Sequence, residues 1–447
     1  MSLPADRMRE RADVFHPERR LGLDSLLMIA AKGAVGLLNL TVLVLIARRL
    51  GPSAQGIVAV GLAAALILVQ LGSLGLVTAN PAWTARSPNG VSQIIVNSAW
   101  WAAALGLACA AVALGIWVLV PSAVPGLTGG QALLIALSVP FALGSLLLQA
   151  ILLGEGRAIA MNVADVALSV ITVGLVWAVL HTDHAGPSAA LAAALSQYPV
   201  GVALYVALLR RHRPFPSRPD LGLAGPMLRY GLRIYAATIV AYLVVRADLL
   251  LVNAFLGSRQ AGLYSTSVTF AQGLYLVPMA IGLNLFVRVA RGSRAELTGA
   301  VFGTLVVPYG LVCVAVGLAA NVLVPDIFGH AYTGSVLLLR WLLPGTFALG
   351  LLTILSYHFA GIGYPTMSIV LWVAGLVANL VLNIVLIPAY GTVMASVTSS
   401  LCYLAILLGQ IWVFVNTGGA LRHLRLRFPL TLTNLRGIVG VPVRPKS

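Results

Sequence analysis

The sequence predicts an all-α polytopic membrane protein, with about 12 transmembrane helices in two six-helix bundles around a central cavity. Three observations support this fold class: an apolar composition, twelve apolar runs of spanning length, and an internal repeat. The 447-residue chain is 60% hydrophobic and only 9% charged, whereas soluble domains carry about 25% charged residues. Its net charge of +16 collects in short segments between apolar runs. Because such runs cannot stay in water, we exclude nucleic acid as a partner.

The apolar runs predict spanning helices, since roughly 20 apolar residues cross a bilayer as a helix. Turn residues such as Gly-Pro at 51–52 and Asn-Pro at 80–81 separate them. The predicted spans, numbered 1 to 12 along the chain, are 25–47, 55–79, 94–120, 131–153, 159–180, 188–209, 229–255, 263–287, 299–324, 333–357, 365–387 and 392–415.

The distribution of arginine predicts the orientation. Segments on one side of the membrane carry Arg210, Arg211, Arg213, Arg218, Arg288, Arg291, Arg294, Arg422, Arg425, Arg427 and Arg436. The opposite side carries only Arg48, Arg49 and Arg259. Because cytoplasmic loops are enriched in Lys and Arg, both termini are predicted to be cytoplasmic. The preference for Arg, with abundant Ala, Gly, Leu and Val, favours a GC-rich bacterial genome and hence a bacterial cytoplasmic membrane.

An internal repeat appears at a spacing of 205 to 207 residues. LGPSAQG at 50–56 matches LGSRQAG at 256–262, and Gly154-x-Gly156 matches Gly361-x-Gly363. Chance recurrence of glycine-rich turns is the alternative, but several matches in order favour a duplicated six-helix unit whose halves are related by an axis along the membrane normal. The predicted organisation is a cytoplasmic tail 1–24, a bundle 25–209, a basic linker 210–228, a second bundle 229–415 and a basic cytoplasmic tail 416–447.

Arg246 raises the main functional question, because it lies near the middle of span 7. A charge at the bilayer centre costs about 2.5–3.5 kcal/mol on insertion scales, so it normally faces protein or water. At 100° per residue, Tyr235, Tyr242 and Asn253 share its arc of the helix, whereas Asp248 projects from another face. We interpret Arg246 as a cavity residue; a structural ion pair within the bundle is the alternative.

Other polar residues lie within predicted spans. Lys32 and Asn39 share a face of span 1 with Ser25, and Arg340 lies about a third of the way into span 10. For the Asn and Ser residues, interhelical hydrogen bonding is the favoured interpretation. A cavity lined by Lys32, Arg246 and Arg340 would favour an anionic group such as a phosphate or pyrophosphate. The deep carboxylates, Asp165 and Asp248, are candidates for ion coupling.

Several functional classes lack their motifs. The sequence has no GxxxxGK[ST] phosphate-binding loop, no HExxH, and no clustered Cys and His with metal-ligand spacing. We therefore expect no enzyme activity, catalytic residue, metal or cofactor. Any energy for transport would then come from an ion gradient, the membrane potential or the gradient of the substrate.

Three stretches resemble the O-antigen and exopolysaccharide flippases of polysaccharide biosynthesis. IARRLGPSAQGIVAVGLAAALILVQLGSLGL is similar to their opening helix pair. Their seventh and eighth helices resemble RADLLLVNAFLGSRQAGLYSTSVTFAQGLYLVPMAIGLNLFVRVAR. Their helices 11 and 12, with the "IPxYG" turn, resemble GIGYPTMSIVLWVAGLVANLVLNIVLIPAYGTVMASVTSSLCYLA. The resemblance covers most of residues 25–415 and places the chain in the multidrug, oligosaccharidyl-lipid and polysaccharide exporter (MOP) superfamily.

The resemblance implies two six-helix bundles forming a V around a central cavity. It also implies flipping of undecaprenyl-pyrophosphate-linked glycan units to the outer leaflet, with membrane lipids, a polysaccharide polymerase and glycosyltransferases as expected partners. In that family the cavity is basic, and Lys32 and Arg246 match this character. A drug–cation antiporter of the same superfamily is the second interpretation. A membrane-embedded glycan polymerase or transferase is the third, and it is disfavoured because the sequence offers no large outer loop or cytoplasmic catalytic region.

Overall fold

A computed structural model describes residues 17–87, 90–120, 124–216, 218–290 and 295–417. The predicted tails fall mostly outside these ranges, as do Arg291, Arg294 and the side chain of Ser25. The described chain is almost entirely helical. Its α-helices are α1 Pro17–Ser73, α2 Leu76–Arg86, α3 Val91–Leu119, α4 Gly129–Gly154, α5 Ala158–Val179, α6 Pro187–Leu195, α7 Gln197–Leu209, α8 Leu221–Ala290, α9 Ala295–Phe328, α10 Gly334–Ile362, α11 Thr366–Tyr390 and α12 Val393–Asn416.

Two of the helices are long enough to cross a bilayer twice. The apolar parts of α1 and α8 run for 44 and 49 residues, about 66 and 74 Å at a rise of 1.5 Å per residue, against a hydrocarbon core of about 30 Å. Each contains one glycine in the left-handed region, Gly51 with φ 78° and Gly257 with φ 80°. The ten candidate spans of the described residues therefore provide the predicted twelve passes.

These two glycines correct the predicted loops between spans 1 and 2 and between spans 7 and 8. The helix is interrupted by a kink at a single residue, with helix on both sides, rather than by seven loop residues. Glycine adopts positive φ at little cost, because it has no Cβ. Gly51 and Gly257 occupy equivalent positions in the LGxxxxG repeat, and the repeat partners Gly156 and Gly363 are also left-handed, with φ 72° and 101°.

Two further boundaries differ from the predictions. Span 6 is broken into α6 and α7 at Ser196, because Pro199 has no N–H to donate to the carbonyl three to four residues before it. Ser196 Oγ and Gln197 Nε2 instead donate to the carbonyls of Ala193 and Ala194, at 2.7 and 2.9 Å. The predicted linker 210–228 is shortened, because α8 already begins at Leu221. There Asp220 Oδ1 accepts hydrogen bonds from the backbone N–H groups of Gly222 and Leu223.

Packing divides the helices into two lobes, as predicted. Two clusters of buried apolar side chains are built mainly from α1–α7. The third is built mainly from α8–α12, with four residues of α1. Large apolar side chains such as Val118 and Leu318 remain exposed around the outside, where a membrane protein meets lipid. The chain is a multi-pass membrane protein, and α1 and α8 hold the lobes together.

Candidate functional site

A cavity of about 450 Å³ lies in the second lobe. Spans 7 and 8 provide most of its polar lining, and α10 and α12 complete the wall. On span 7, Thr238, Tyr242 and Arg246 follow one another at intervals of four residues, which places them on one helical face. On span 8, Gln272 and Tyr275 lie one turn apart and face the same space.

Arg246 provides the positive charge of this cavity. Its Nη2 atom lies 3.4 Å from Gln272 Oε1, at the long limit of a hydrogen bond. Among the described residues, no carboxylate oxygen lies within 4 Å of its guanidinium. Since a guanidinium has five N–H donors, most of them are available to an anion in the cavity.

Asp248 lines the same cavity but is committed to other partners. Its side chain is only 2% exposed. Tyr264 Oη and Ser399 Oγ donate to its Oδ2 atom at 2.5 and 3.1 Å, and its own neighbour's backbone N–H donates to Oδ1 at 2.8 Å. The helical wheel predicts that Asp248 and Arg246 project from different faces of span 7. In agreement with it, the two side chains form no ion pair.

The first lobe contains a second, smaller polar cavity of about 240 Å³. Asn39, Gln149 and Asp165 line it, with Ser169, Gln197 and Tyr198. Asp165 accepts hydrogen bonds from Gln149 Nε2 at 2.6 Å and from Tyr205 Oη, and its Oδ2 atom forms an ion pair with Lys32 Nζ at 2.9 Å. The charge of Lys32 is therefore matched inside its own lobe, so it adds no free positive charge to a shared cavity.

One polar side chain of the first lobe lies near the polar face of span 7. Tyr198 lines the first-lobe cavity and is close enough to Tyr242 and Arg246 of the second lobe for electrostatic interaction with them. The sequence interpretation missed Gln149, Tyr198, Gln272 and Tyr275, although each is a polar residue within an apolar run, because it gave weight mainly to full charges.

Three predicted cavity residues lie elsewhere. Tyr235 Oη donates to the Leu71 carbonyl at 2.9 Å, and the buried Asn253 donates to the Pro125 carbonyl at 3.1 Å. These residues share the arc of Arg246 but not its depth in the membrane. Tyr235 lies eleven residues before Arg246, about 16 Å along the helix, and Asn253 lies seven residues after it, about 10 Å. Arg340 lines a separate groove between α9 and α10, where its Nε atom donates to a backbone carbonyl at 3.0 Å.

The lobes are in contact at both ends of the bundle. At the end that holds Gly51, called the Gly51 end, Arg48 donates to the carbonyls of Asp326 and Ile327 of the other lobe. Gly56 there lies against the backbone of the opposite lobe so closely that an added Cβ would be 1.8 Å from the Ser258 carbonyl oxygen. Since any side chain would overlap that oxygen, Gly56 permits the close crossing.

At the opposite end, called the Gly75 end, the lobes also meet through glycine. A Cβ added to Gly231 would lie 2.7 Å from the Gly75 carbonyl oxygen. Trp83 of the first lobe packs edge-on against Tyr230 of the second, with ring centroids 5.3 Å apart, and Arg86 lies over both rings. The inter-lobe region is therefore bounded by contacts at both ends.

A charged cluster forms around Glu155, just beyond the end of α4 and of its candidate span. Glu155 Oε1 is 2.5 Å from His212 Nε2 and 3.0 Å from Arg211 Nη2. Burial would raise the pKa of Glu155, but the hydrogen bonds and charges of Arg211 and His212 outweigh burial and hold this pKa below its ordinary value. The cluster joins the α4–α5 turn to the segment that leaves α7.

Comparison with sequences gives a distant relative. No family model matches the chain. A 188-residue stretch is 24% identical to an uncharacterized membrane protein of Methanocaldococcus jannaschii, and it spans 41% of this chain. The match covers 44% of that relative's own length.

Comparison with solved structures identifies the fold. The lipid II flippase MurJ, in an inward closed conformation, has a TM-score of 0.70 at 12% identity, with 87% of each chain covered. A multidrug resistance transporter of the MATE family, in an inward-facing conformation, has a TM-score of 0.66 at 17% identity, with 87% of this chain and 94% of that chain covered. Both have the two-lobe helical fold, and the second is described as a member of the MOP superfamily. The predicted fold class is confirmed, whereas the narrower polysaccharide flippase family stays a prediction.

Proposed function

We propose that the protein is a flippase for lipid-linked glycans. It would move undecaprenyl-pyrophosphate-linked oligosaccharide or polysaccharide repeat units from the inner to the outer leaflet by alternating access. The observation that carries the proposal is the guanidinium of Arg246, which lines the cavity of the second lobe and forms no ion pair with a carboxylate of the described residues. A bidentate guanidinium is suited to a pyrophosphate, because two parallel N–H groups match two phosphate oxygens.

The fold supports a transporter or flippase over an enzyme. The lipid II flippase among the structural neighbours acts on a lipid-linked substrate according to its name, which agrees in kind with the substrate proposed here. Within the site, Tyr242 and Arg246 would contact the pyrophosphate, and Asn39 and Tyr198 would face it from the other lobe. Lys32, Tyr235, Asn253 and Arg340, which the sequence grouped with them, would act in structural or peripheral roles.

A drug–cation antiporter is the second candidate, and the MATE neighbour is compatible with it. A cationic drug would need an available carboxylate. Each lobe does offer one buried carboxylate next to its cavity. However, Asp165 is already paired with Lys32, and Asp248 already accepts three hydrogen bonds. The charge available to a ligand is thus positive, which favours an anionic substrate.

The two carboxylates are better suited to coupling than to drug binding. Asp165 and Asp248 each belong to one lobe, and each is held by hydroxyl groups as well as by its other partners. Binding of a proton or a metal cation at either carboxylate would change the network inside that lobe. We propose them as ion-coupling candidates, and we propose cytoplasmic termini in a bacterial cytoplasmic membrane from the arginine distribution.

Reconstituted protein tests the proposal. The full chain is placed in liposomes with a fluorescent polyprenyl-pyrophosphate-linked oligosaccharide, and movement to the outer leaflet is followed by loss of fluorescence on adding a membrane-impermeant quencher. Protein-dependent movement of the pyrophosphate-linked glycan supports the flippase. Movement of a cationic dye, with none of the glycan, supports the antiporter instead.

A further inference from the structure

A groove on the outer surface of the second lobe is separate from the cavity that Arg246 lines. It lies between α9 and α10 and has a volume of about 420 Å³, within the range of about 300–1,000 Å³ typical of ligand sites. Its lining includes Gly310, Cys313, Val314, Gly317 and Phe347, with Arg340 as its charged residue. Apolar neighbours such as Leu318, 76% exposed, indicate that this face meets lipid.

The opposite face of α10 lines the cavity of Arg246. Leu342 and Thr346 face that cavity, whereas Arg340 and Phe347 face the groove. Two residues correspond to about 200° around a helix, so Arg340 and Leu342 project in nearly opposite directions. A group bound at Arg340 therefore does not share the cavity of Arg246.

Glycine creates the groove. Gly310 and Gly317 are seven residues apart on α9, which places them on one face, two turns apart. A Cβ on Gly317 would lie 3.1 Å from Leu343 Cδ1, and one on Gly310 would lie 3.4 Å from Phe347 Cε2. The glycines therefore bring α10 close to α9 and leave a shallow apolar channel along the surface.

Arg340 is fixed at the membrane boundary. α10 has 29 residues, about 44 Å, which matches the full thickness of a bilayer with its headgroups, about 40–45 Å. Arg340 is six residues after Gly334 at the helix start, hence about 9 Å in. Its Nε atom donates to the Gly317 carbonyl at 3.0 Å, so the guanidinium is held beside the groove rather than free to extend away from it.

Among the described residues, the remaining donors of Arg340 have no protein partner. In the part of the chain that the structure describes, no carboxylate lies within 4 Å of Arg340, and its only hydrogen bond is the one to Gly317. An exposed arginine this close to the helix end reaches the interface, where it can meet an anionic group. At the boundary of the hydrocarbon core, the most abundant anion is the headgroup phosphate of membrane lipids. The acyl chains of the same lipids extend into the hydrocarbon core.

We propose that this groove binds an anionic phospholipid of the leaflet at the Gly51 end. Arg340 Nη1 and Nη2 bind the headgroup phosphate, since a guanidinium can hold two phosphate oxygens at once. One acyl chain lies along the channel past Gly317 and Gly310. The bound lipid contacts both α9 and α10 and so stabilises their packing. This assignment does not depend on whether the protein transports lipid-linked glycans.

Lipid binding to the purified full chain tests this assignment. Phosphatidylglycerol and phosphatidylcholine are titrated separately, and bound lipid is counted by native mass spectrometry. We expect tighter binding of phosphatidylglycerol, a loss of about tenfold in Arg340→Gln, since a hydrogen bond to a charged group is worth about that factor, and a smaller loss in Arg340→Lys. Arg259→Gln is the matched control, because Arg259 is exposed at the same end of the molecule but lies outside the groove.

A second variant removes the apolar part of the site without touching the charge. Val314→Trp, at an exposed position on the groove wall, should fill the channel and weaken phosphatidylglycerol binding even if Arg340→Gln does not fold. Equal binding of the two lipids, or unchanged binding in both variants, overturns the proposal. Tighter binding of a polyprenyl phosphate than of phosphatidylglycerol, lost in the same variants, overturns the phospholipid assignment and makes the groove a carrier site. Displacement of bound phosphatidylglycerol by inorganic phosphate alone would also contradict it.

Discussion

Arg246 and Asp248 lie two residues apart on one helix and line one cavity, yet they do not pair with each other. Asp248 accepts its hydrogen bonds from Tyr264, Ser399 and the backbone, whereas Arg246 has a long hydrogen bond to Gln272 and no ion pair among the described residues. The second lobe thus keeps its carboxylate satisfied and its guanidinium available. This separation is what makes the cavity suitable for an anion.

Arg48 is predicted to hold the Gly51 end closed. It donates to two carbonyls at the C-terminus of α9 in the other lobe, where a cation also interacts favourably with the helix dipole. Arg48→Ala should raise the reactivity of a cysteine placed at Thr266, a buried residue that accepts a hydrogen bond from Gln55 of the first lobe. The measurement is labelling by a water-soluble maleimide, in a background where Cys109, Cys313 and Cys402 are replaced by serine.

Arg49→Ala is the control for Arg48→Ala. Arg49 is exposed and adjacent, but its Nη2 atom contacts His181 within its own lobe, at 2.7 Å. Its removal should leave labelling at position 266 unchanged. Equal labelling in the two variants would mean that Arg48 does not control this end.

Gly231 is predicted to be essential for closing the Gly75 end. Because a Cβ there would lie 2.7 Å from the Gly75 carbonyl oxygen, Gly231→Leu should keep the lobes apart at this end and reduce glycan movement at least tenfold at an unchanged protein level. Gly225→Leu lies in the same helix, where an added Cβ meets nothing within 4 Å, and should remain active. Full activity of Gly231→Leu would exclude a tight glycine contact during transport.

Lys32 is predicted to stabilise the first lobe rather than to bind substrate. Its amine is paired with Asp165 at 2.9 Å but is 41% exposed, so we expect Lys32→Met to cost only about 1–2 kcal/mol of unfolding free energy. Adding Asp165→Asn to Lys32→Met should restore part of the loss, because no unpaired carboxylate then remains. A thermal-unfolding cycle in detergent measures this, and strictly additive losses would contradict the pairing.

Glu155 is predicted to give the protein an acid-sensitive contact. Its folded-state pKa is lowered below the ordinary 4.5, so the unfolded chain takes up the proton first as the pH falls. The stabilisation is complete above pH 4.5 and is lost as the pH falls through the lowered pKa. Glu155→Gln should therefore lower the Tm at pH 7 and flatten its decline in acid. Parallel Tm profiles for the two proteins between pH 7 and pH 3 would rule out this contribution.

The fold was largely predictable because its main signal is hydropathy. Twelve apolar runs predict twelve passes regardless of packing, and the LGxxxxG repeat marks both hinge glycines, Gly51 and Gly257. The sequence did not reveal that each hinge would be one residue long. The length of the interruption depends on the φ angle of one glycine and on the close packing of Gly56 and Gly262 against the opposite lobe. Neither can be read from the local sequence.

The site was less predictable, because a helical wheel gives direction but not depth or partners. Tyr235 and Asn253 share the direction of Arg246, yet they lie too far along the helix to meet the same ligand. Lys32 and Arg340 carry full charges, but one is paired with Asp165 from a distant part of the sequence and the other faces lipid. The nearness of Tyr198 to Arg246 is a relationship between two lobes, and it leaves no local pattern in the sequence.

The central claim is that Arg246 binds the pyrophosphate of a lipid-linked glycan. The most direct measurement is movement of a fluorescent polyprenyl-pyrophosphate glycan across liposomes containing wild type, Arg246→Lys, Arg246→Ala or the control Arg210→Ala, an exposed arginine at the end of α7. We predict activity in the order wild type, Lys, Ala, with a loss of about tenfold or more for Ala at equal protein in the membrane, and no loss for Arg210→Ala. Wild-type movement by correctly inserted Arg246→Ala protein would contradict the claim.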